Sequence, residues 1–333
     1  MRAVLLAVLS CTFVATAALA DPVADFYRGK TINVLIGVGA GGEYDTIARL
    51  VARHIGRYIP GHPSLLPQQM TGASGLKLMN YMATLAPQDG TVIGMISEGL
   101  PSLQAVGMPG IAFDAAKFNW LGAIAPIDET VVVWRGSGVD TLDDARRRDV
   151  ITGATARGSI TYTFPALVNE LLGTRLKLVT GYDGGTAINL AMERGEVEAR
   201  DNTWSSLKAT RPEWLRDHKV SIIVQSGPRA ADLDAPLLAD LVKDADARRV
   251  SELILSGCNL GRPLTITPGV PADRVAALRL AFDQTVKDPE FLAEAKAMHF
   301  DVDPVRGVDM QDTVARVLAT PPDIAVRAKR LLE

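Results

Sequence analysis

The residues of this 333-residue sequence that could do chemistry are concentrated in glycine-rich loops. The first loop, Gly37-Val-Gly39-Ala-Gly-Gly42, has the spacing G-x-G-x-x-G between an apolar run and a helical pattern. Glycines let the backbone approach a ligand closely, and the N–H groups at a helix N-terminus attract a carboxylate or phosphate. Gly41 and Gly42 are therefore candidate ligand contacts, and Asp45 is a candidate cap.

The same spacing is also typical of dinucleotide-binding enzymes, which need an acidic residue about 20 positions further on to hold the ribose. That region reads Pro60-Gly-His-Pro-Ser-Leu-Leu-Pro67 and contains no acidic residue. The export signal described below would also separate the protein from the cytosolic nicotinamide pool. A dinucleotide-dependent oxidoreductase is therefore the weaker alternative, and we expect no cofactor.

Three further polar loops follow predicted strands later in the chain. They are 153–159 (Gly-Ala-Thr-Ala-Arg-Gly-Ser), 182–186 (Tyr-Asp-Gly-Gly-Thr) and 201–203 (Asp-Asn-Thr). Ligands of open α/β sheets bind outside the carboxyl ends of the strands, so these loops are candidate binding elements. Arg157 is the one cation in their sequence, and its planar guanidinium suits a carboxylate. A solvated loop arginine is the alternative interpretation.

The sequence contains none of the common patterns of catalysis or metal binding. Its four histidines are scattered, and it has neither a G-x-S-x-G elbow nor a P-loop Lys-Ser/Thr. Cys258 has no neighbouring base and is predicted to be a buried structural thiol. The adjacent pairs Asp128-Glu129 and Asp143-Asp144 are interpreted as solvated loop or helix-start residues. We expect no enzyme, no catalytic residue and no metal site.

The N-terminus is predicted to direct export. Arg2 precedes an uncharged apolar run from Ala3 to Ala20, which closes on Ala18-Leu-Ala20 before Asp21. A cation, a short hydrophobic segment and a small-residue exit are typical of a secretory signal, which predicts cleavage after Ala20 and a periplasmic protein. A membrane anchor is the alternative, but the run is short for a spanning helix and has no basic residue on its far side.

Composition limits the partners of the exported chain. The full sequence has a formal net charge of −3 at pH 7, and its longest run of basic residues is the three of Arg146-Arg147-Arg148, which argues against nucleic acid or an anionic membrane as partner. Loss of the signal removes Cys11 and leaves Cys258 alone, so no intrachain disulfide can form. The remaining chain is long enough for one large or two medium domains.

The elements that position the loops alternate between strands and helices. The apolar run Thr31–Val38 has the length of a strand buried on both faces, and the following residues carry apolar side chains at helical spacing from Ile47 to Ile55. Repetition of this unit predicts an α/β fold with mostly parallel sheets flanked by helices. An extra strand, Leu264–Thr267, is predicted to rejoin the first sheet.

Two series of such units predict two domains. We predict a signal peptide at 1–20, domain I at 21–124 plus 228–333, and domain II at 125–227. Two crossing segments between α/β domains form a hinge, and such a hinge forms a cleft. A monomer is expected, since the protein must close and dock.

Eight short motifs are spread over the mature chain in one order. They are Tyr27-Arg-Gly-Lys-Thr-Ile32, Gly39-Ala-Gly-Gly-Glu-Tyr-Asp-Thr-Ile-Ala-Arg49, Met70-Thr-Gly-Ala-Ser-Gly75, Ala86-Pro-Gln-Asp-Gly-Thr-Val-Ile-Gly94, Gly181-Tyr-Asp-Gly-Gly-Thr186, Glu193-Arg-Gly-Glu-Val197, Pro268-Gly-Val-Pro-Ala-Asp-Arg274 and Lys287-Asp-Pro-Glu-Phe291. Together they resemble the substrate-binding receptors of tripartite tricarboxylate transporters, known as Bug-type receptors. The resemblance implies a periplasmic-binding-protein (Venus-flytrap) fold that closes on a small organic acid and docks transiently on membrane transporter subunits. A sensory receptor that presents its ligand to a signalling protein is an alternative.

The resemblance also implies where the ligand binds. In such receptors the ligand carboxylate is held largely by backbone amides and waters between two facing sets of loops. Carried over to this sequence, one side of the cleft holds Gly41, Gly42, Tyr44 and Asp45, with Ser97 at a small polar position near the ligand. The other side holds Thr155, Arg157, Ser159, Gly184, Gly185, Thr186 and Asp201.

The sequence departs from this pattern at three charged residues. Glu43 stands where many relatives have a small residue, Glu98 lies near a position that often carries a hydroxyl, and Arg157 replaces a neutral amide. A ligand with an amine or hydroxyl in addition to its carboxylate could bind Glu98, whereas a ligand with a second carboxylate could bind Arg157. The identity of the ligand therefore stays open.

Overall fold

The computed structural model describes residues 21–332. The predicted signal peptide lies outside these residues, so cleavage after Ala20 stays a prediction. Across residues 21–332, no helix has both the length and the apolar character needed to cross a membrane.

The first sheet has six strands. They are β1 (Thr31–Ile36), β2 (Ser64–Gln69), β3 (Val92–Met95), β4 (Asn119–Ala123), β10 (Leu264–Ile266) and β11 (Val305–Arg306), in the spatial order β11-β4-β10-β3-β1-β2. The central strand β3 is buried throughout, because helices cover both faces of the sheet.

Two helical layers cover the first sheet. One layer contains α1 (Pro22–Tyr27), α2 (Glu43–Ile55), α13 (Ala272–Thr285) and α14 (Pro289–Ala297); the other contains α3 (Leu76–Thr84), α4 (Leu100–Ala105) and α15 (Gly307–Leu318). Leu50 of α2 and Phe282 of α13 are fully buried in the same core. This packing fixes the direction of α2, and therefore the position of the glycine loop at its N-terminus.

The second sheet has five strands. They are β5 (Glu129–Trp134), β6 (Val150–Gly153), β7 (Leu176–Val179), β8 (Ala199–Thr203) and β9 (Val220–Ser226), in the spatial order β7-β6-β8-β5-β9. Alternate residues of β5 enter different cores, since Val131 and Val133 pack on one face and Val132 on the other.

The remaining helices pack around the second sheet and its junction with the first. They are α5 (Leu142–Arg147), α6 (Ile160–Leu172), α7 (Gly185–Glu193), α8 (Trp204–Thr210), α9 (Pro212–Arg216), α10 (Leu238–Leu241), α11 (Ala245–Ile254), α12 (Ser256–Leu260) and α16 (Pro322–Leu332). The C-terminal α16 packs against α6 and α11, so the chain after residue 227 contributes to the cores of both sheets. The domain boundaries at 124/125 and 227/228 stay a prediction.

The predicted α/β architecture with two sheets is confirmed, and Leu264 of β10 pairs with Met95 of β3 in the first sheet as predicted. The prediction of mostly parallel sheets is wrong in detail, because both sheets are mixed. β1 and β6 pair with their neighbours in parallel, whereas β5, β10 and β11 pair antiparallel. The strands β5 and β10 come after the chain has crossed from one sheet to the other. Each therefore runs in the direction opposite to that of its neighbours in the sheet.

Candidate functional site

Asp45 organises the glycine loop between β1 and α2. Its carboxylate accepts hydrogen bonds from Gly41 N (3.0 Å), Arg49 Nε (2.8 Å) and Gln69 Nε2 (2.6 Å). Gly41 has φ +78°, a conformation that favours glycine, and Gly42 is the N-cap residue of α2. Asp45 therefore shapes the loop, while Gly41 remains exposed at its tip.

Hydroxyl groups shape the facing loop 153–159 before α6. Thr155 Oγ1 donates to Ser159 Oγ (2.8 Å), and Thr155 N donates to Thr161 Oγ1 (3.0 Å). The neighbouring Arg157 is exposed, with its guanidinium carbon 5.4 Å from the centre of the Tyr162 ring. The hydroxyl network holds the backbone of the loop, and Arg157 lies at its exposed rim.

A buried arginine supports the loop 184–186, which opens α7. Arg200 Nη1 donates to Gly185 O (2.6 Å) and Asn189 Oδ1 (2.5 Å), while Arg200 Nε donates to Asp201 O (2.7 Å). A Cβ added at Gly185 would lie 3.1 Å from Arg200 Nη2, so glycine makes room for the guanidinium. Burial lowers the pKa of Arg200 to about 10, and it stays charged at neutral pH. The sequence analysis did not identify Arg200. It could have been found as a basic residue within a strand whose other residues are buried.

The predicted loops of the two sheets face one another. A Cβ added at Gly39 would lie 3.6 Å from Asp183 O on the opposite side. A small cavity lies between Ser97 and Gly99 of the first unit and Gly158 and Ile160 of the second. The structure therefore brings Ser97 together with the loop that carries Thr155, Arg157 and Ser159.

Glu43 and Arg262 form a buried ion pair at this junction. Arg262 Nη2 lies 2.7 Å from Glu43 Oε2, and the side chains are 8% and 6% exposed. Across the junction, Thr203 Oγ1 and Ser205 Oγ donate to the two Glu43 oxygens over 3.2 and 3.3 Å. Sequence reasoning noted Glu43 but missed Arg262, which lies far away in the chain just before β10.

Tyr44 and Ser97 both hydrogen-bond to Glu98. Tyr44 Oη donates to Glu98 Oε2, and Ser97 Oγ donates to the same oxygen over 3.4 Å. Glu98 is only 2% exposed, and burial raises the pKa of its carboxyl group. The Arg262 guanidinium carbon lies 5.2 Å from the centre of the Tyr44 ring. Three of the predicted residues therefore form one connected cluster.

Glu129 corrects the interpretation of the Asp128-Glu129 pair as solvated. Glu129 is 1% exposed, and strand pairing places it between Thr203 of β8 and Ser226 of β9. Asp201 lies diagonally opposite on the same face and is also 1% exposed. The pair was misread because an acidic residue at a strand end resembles a loop residue until its neighbours from β8 and β9 are known.

The carboxyl groups at this junction have raised pKa values. Burial is the main cause for Glu129, whose pKa lies well above its usual range, and the neighbouring Asp201 carboxylate adds to it. Burial raises the pKa of Asp201 to about 7 and that of Asp128 to about 6. Two buried carboxyl groups in contact favour sharing one proton.

The other predicted chemical residues have structural surroundings. Cys258 is a buried free thiol, as predicted, and burial raises its pKa. Asp144 starts α5 in a capping box with Thr141, in agreement with the helix-start interpretation. Within residues 21–332, one group of side chains has ligand atoms close enough to hold a metal ion: His54, Asp288 and Glu290. Arg57 Nη1 already donates to both carboxylates, over 3.0 and 2.6 Å.

Two α/β units with chain crossings between them and loops that face across their junction define the fold of the two-domain periplasmic solute-binding proteins. Among solved structures, the chain is similar to the periplasmic binding protein BugD, with a TM-score of 0.70 and 15% identity over 92% of this chain and 98% of BugD. It is also similar to MatC of Rhodopseudomonas palustris with bound malate, with a TM-score of 0.68 and 18% identity over 89% of this chain and 99% of MatC. At these identities the similarity establishes the fold.

One curated relative extends the comparison to sequence. A UPF0065 protein of Agrobacterium vitis, from the TAR-I ttuE–ttuC' intergenic region, is 26% identical over 162 residues, or 46% of each chain. The chain thus matches about half the length of this relative. No protein-family model matches the sequence. The resemblance to Bug-type receptors that the motifs indicated is confirmed by these similarities.

Proposed function

We propose that this protein is a periplasmic solute receptor that captures a small organic acid between its two α/β units and delivers it to a tripartite tricarboxylate-type transporter. The observation that carries the proposal is that the glycine loops of the two units face each other across the junction, where a Cβ at Gly39 would lie 3.6 Å from Asp183 O. The gap between Ser97 and Gly158 beside them holds only about 20 Å³ in this structure, so the units must open to admit an acid. The fold shared with BugD and with malate-bound MatC supports it. In this proposal the protein performs no reaction and acts as a monomer.

The ligand carboxylate would bind at the rim of the junction. Gly42, Gly184 and Gly185 offer backbone N–H groups at the N-termini of α2 and α7, and Arg157 offers a guanidinium. Gly41, whose N–H is donated to Asp45, would line the site without this contact. Each charge-assisted hydrogen bond contributes roughly 1.5–3 kcal/mol, whereas association costs at least about 4 kcal/mol. Several such contacts and the closure of the units are needed to reach the roughly 8 kcal/mol of a micromolar receptor.

Entry of a ligand requires the units to separate. The contacts that join them in this structure include the Glu43 hydrogen bonds to Thr203 and Ser205 and the approach of Gly39 to Asp183. We propose that the segments near residues 124 and 227 are the hinge about which this movement takes place.

A ligand screen tests the proposal. The full chain, exported and purified without additives, is melted in the presence of monocarboxylates, dicarboxylates, tricarboxylates, aromatic acids and amino acids. We expect at least one compound to raise the melting temperature, calorimetry to show one site, and X-ray scattering to show a more compact particle with that ligand. The absence of any shift over the whole panel would contradict the proposal. N-terminal sequencing that begins at Asp21 would establish export and cleavage.

A further inference from the structure

The floor of the junction between the two units carries more carboxyl groups than cations. Its charged and titratable side chains come from every element that meets there: Glu43 of α2, Glu98 after β3, Asp128 and Glu129 at the start of β5, Arg200 and Asp201 of β8, Cys258 of α12 and Arg262 before β10. Apart from Asp128, which is partly exposed, all are at least nine-tenths buried. Such an excess of buried acid is costly unless a positive group compensates for it.

Each cation on this floor has partners, although the Nε of Arg262 is buried without one. Arg262 pairs with Glu43, and Arg200 directs its hydrogen bonds to two backbone carbonyls and the Asn189 amide. Glu98 accepts hydrogen bonds from Tyr44 and Ser97. Among residues 21–332, these contacts leave the Glu129 and Asp201 carboxyl groups without a cationic partner at hydrogen-bond distance.

Buried atoms without partners cluster at the same place. Glu129 Oε2 and Asp201 Oδ1 are buried and accept no hydrogen bond from a donor of the described residues. Ser226 Oγ, in the same cross-strand row as Glu129, is likewise buried and unpartnered. The donors Asn202 Nδ2 and Arg262 Nε are also buried without partners here, and neither lies at hydrogen-bond distance from these carboxyl oxygens. Buried polar atoms are normally hydrogen-bonded, so the Glu129 and Asp201 oxygens lack a donor.

Beyond the one carboxylate proposed at the rim, the N-terminus of α2 does not favour a second carboxylate of the same ligand. The first turn of α2 already contains two buried carboxylates, Glu43 and Asp45, which occupy the favourable end of its dipole. A dicarboxylate that reached the floor with its second carboxylate would meet Glu98, Glu129 and Asp201 at close range. An ammonium group there would meet three acceptors.

We infer that the ligand carries a protonated amine together with its carboxylate, and that the amine binds Glu129 and Asp201, with Glu98 beside them. The ligand class is therefore amine-bearing carboxylic acids rather than simple dicarboxylates. The inference rests on the proposed receptor function and adds to it the group that selects the ligand. Rim contacts with the backbone amides and Arg157 would hold the carboxylate.

The rival arrangement is a protonated Glu129 that donates a hydrogen bond to a second ligand carboxylate. The two arrangements differ in the sign of their pH dependence. Binding of an ammonium displaces the shared proton, so affinity rises as pH increases through about 7, the pKa of Asp201 in the unliganded protein. A dicarboxylate held by a protonated carboxyl group would bind less tightly over the same range.

Matched pairs of ligands provide the test. The purified full chain is titrated calorimetrically with glutamate and glutarate, β-alanine and propionate, and 4-aminobutyrate and butyrate, at pH 6 and pH 8. We expect at least one amine to bind about tenfold or more tightly than its partner without the amine, because a hydrogen bond to a charged group is gained. Its affinity should increase at pH 8, with proton release visible as a dependence of the heat on the buffer.

Variants of Glu129 and Asp201 test whether the floor of the junction causes the preference for an amine. Glu129→Gln and Asp201→Asn should each reduce the preference for the amine about tenfold, while Glu170→Gln, at an exposed position of α6, should leave it unchanged. The readout is a ratio of affinities, so a general change in stability does not imitate it. If a variant fails to fold, the pH dependence and proton release of the wild-type protein decide the question alone.

Different experimental results would contradict the amine inference and the proposed receptor function. Tighter binding of simple dicarboxylates, or an amine preference that survives both variants, would overturn the inference and leave the receptor function intact. No binding by any acid, with or without an amine, would count against the receptor function itself.

Discussion

The guanidinium of Arg262 lies 2.7 Å from the carboxylate of Glu43, and both side chains are almost excluded from water. Arg262 follows the return of the chain to the first sheet, whereas Glu43 starts α2 beside the glycine loop. Because Thr203 also contacts both charged groups, this pair ties the loop to the second sheet. The pair therefore joins the floor of the junction to the glycine loop at its side.

Removal of one partner of this pair should destabilise the protein more than removal of both charges. Arg262→Met leaves the Glu43 carboxylate buried without its cation, which costs about 3–5 kcal/mol of unfolding free energy. The double variant Arg262→Met/Glu43→Gln should recover most of that loss, because the uncompensated charge is gone. Urea unfolding followed by circular dichroism measures both values.

A surface arginine provides the comparison for this experiment. Arg216 pairs with Asp217 at an exposed position, so Arg216→Met should leave the unfolding midpoint unchanged. A double variant as unstable as Arg262→Met would show that packing of the long side chain, rather than the buried charge, is what matters.

The raised pKa of Asp201 predicts a pH dependence of stability. Its folded pKa of about 7 lies above the usual 3.8, so the folded state holds more protons between these values. The contribution of Asp201 to the unfolding free energy therefore falls as pH rises from about 4 to about 7, and the raised pKa of Glu129 extends the fall of the pair to higher pH.

Asp201→Asn should remove this dependence. The variant should be more stable than the wild type at pH 8, by on the order of a few kcal/mol, and the difference should shrink toward pH 5. Melting curves of the two proteins at pH 5, 6.5 and 8 measure it, with Glu170→Gln as the exposed control. An advantage of Asp201→Asn that is constant over this pH range would refute the assignment.

The sequence predicted most of the fold because its signals are local. The run Thr31–Val38 contains strand β1, and helical spacing from Ile47 to Ile55 became the buried face of α2. The extra strand was placed correctly because its apolar residues had no other neighbour in the predicted order. The direction of each strand could not be predicted from nearby residues. It depends on where the chain crosses between the two sheets, and those crossings make both sheets mixed.

The floor of the junction could not be predicted in the same way. Glu129 is buried only because β8 and β9 flank it, and Arg262 meets Glu43 only because the chain returns to the first sheet. Arg200 gave a local signal, a cation in a strand of buried residues, that was not recognised. The sequence therefore named Glu98 and Asp201 among its candidates but not Glu129, Arg200 or Arg262. The ligand-binding role of the loop residues stays a prediction.

Arg157 should contribute to ligand binding without contributing much to stability. It is exposed on the loop before α6, at the rim where the proposed carboxylate would bind. Arg157→Ala is expected to weaken binding of an identified ligand by about 1.5–3 kcal/mol and to leave the melting temperature nearly unchanged. Calorimetry of this variant beside Arg194→Ala, an exposed arginine after α7, measures the effect. Equal affinity in both variants would make Arg157 an ordinary solvated residue.

Gly39 offers a way to hold the two units apart. A methyl group at this position would lie 3.6 Å from Asp183 O, which is ordinary van der Waals contact, so Gly39→Ala should bind ligand like the wild type. Gly39→Phe cannot fit in the same gap and should prevent full closure. Its melting temperature without ligand should stay close to that of Gly39→Ala, because the side chain is exposed when the units separate. X-ray scattering with saturating ligand should show a larger radius of gyration for Gly39→Phe, and calorimetry a loss of affinity of about tenfold or more. A Gly39→Phe protein that binds ligand with full affinity and compacts normally would show that closure does not bring these two loops together.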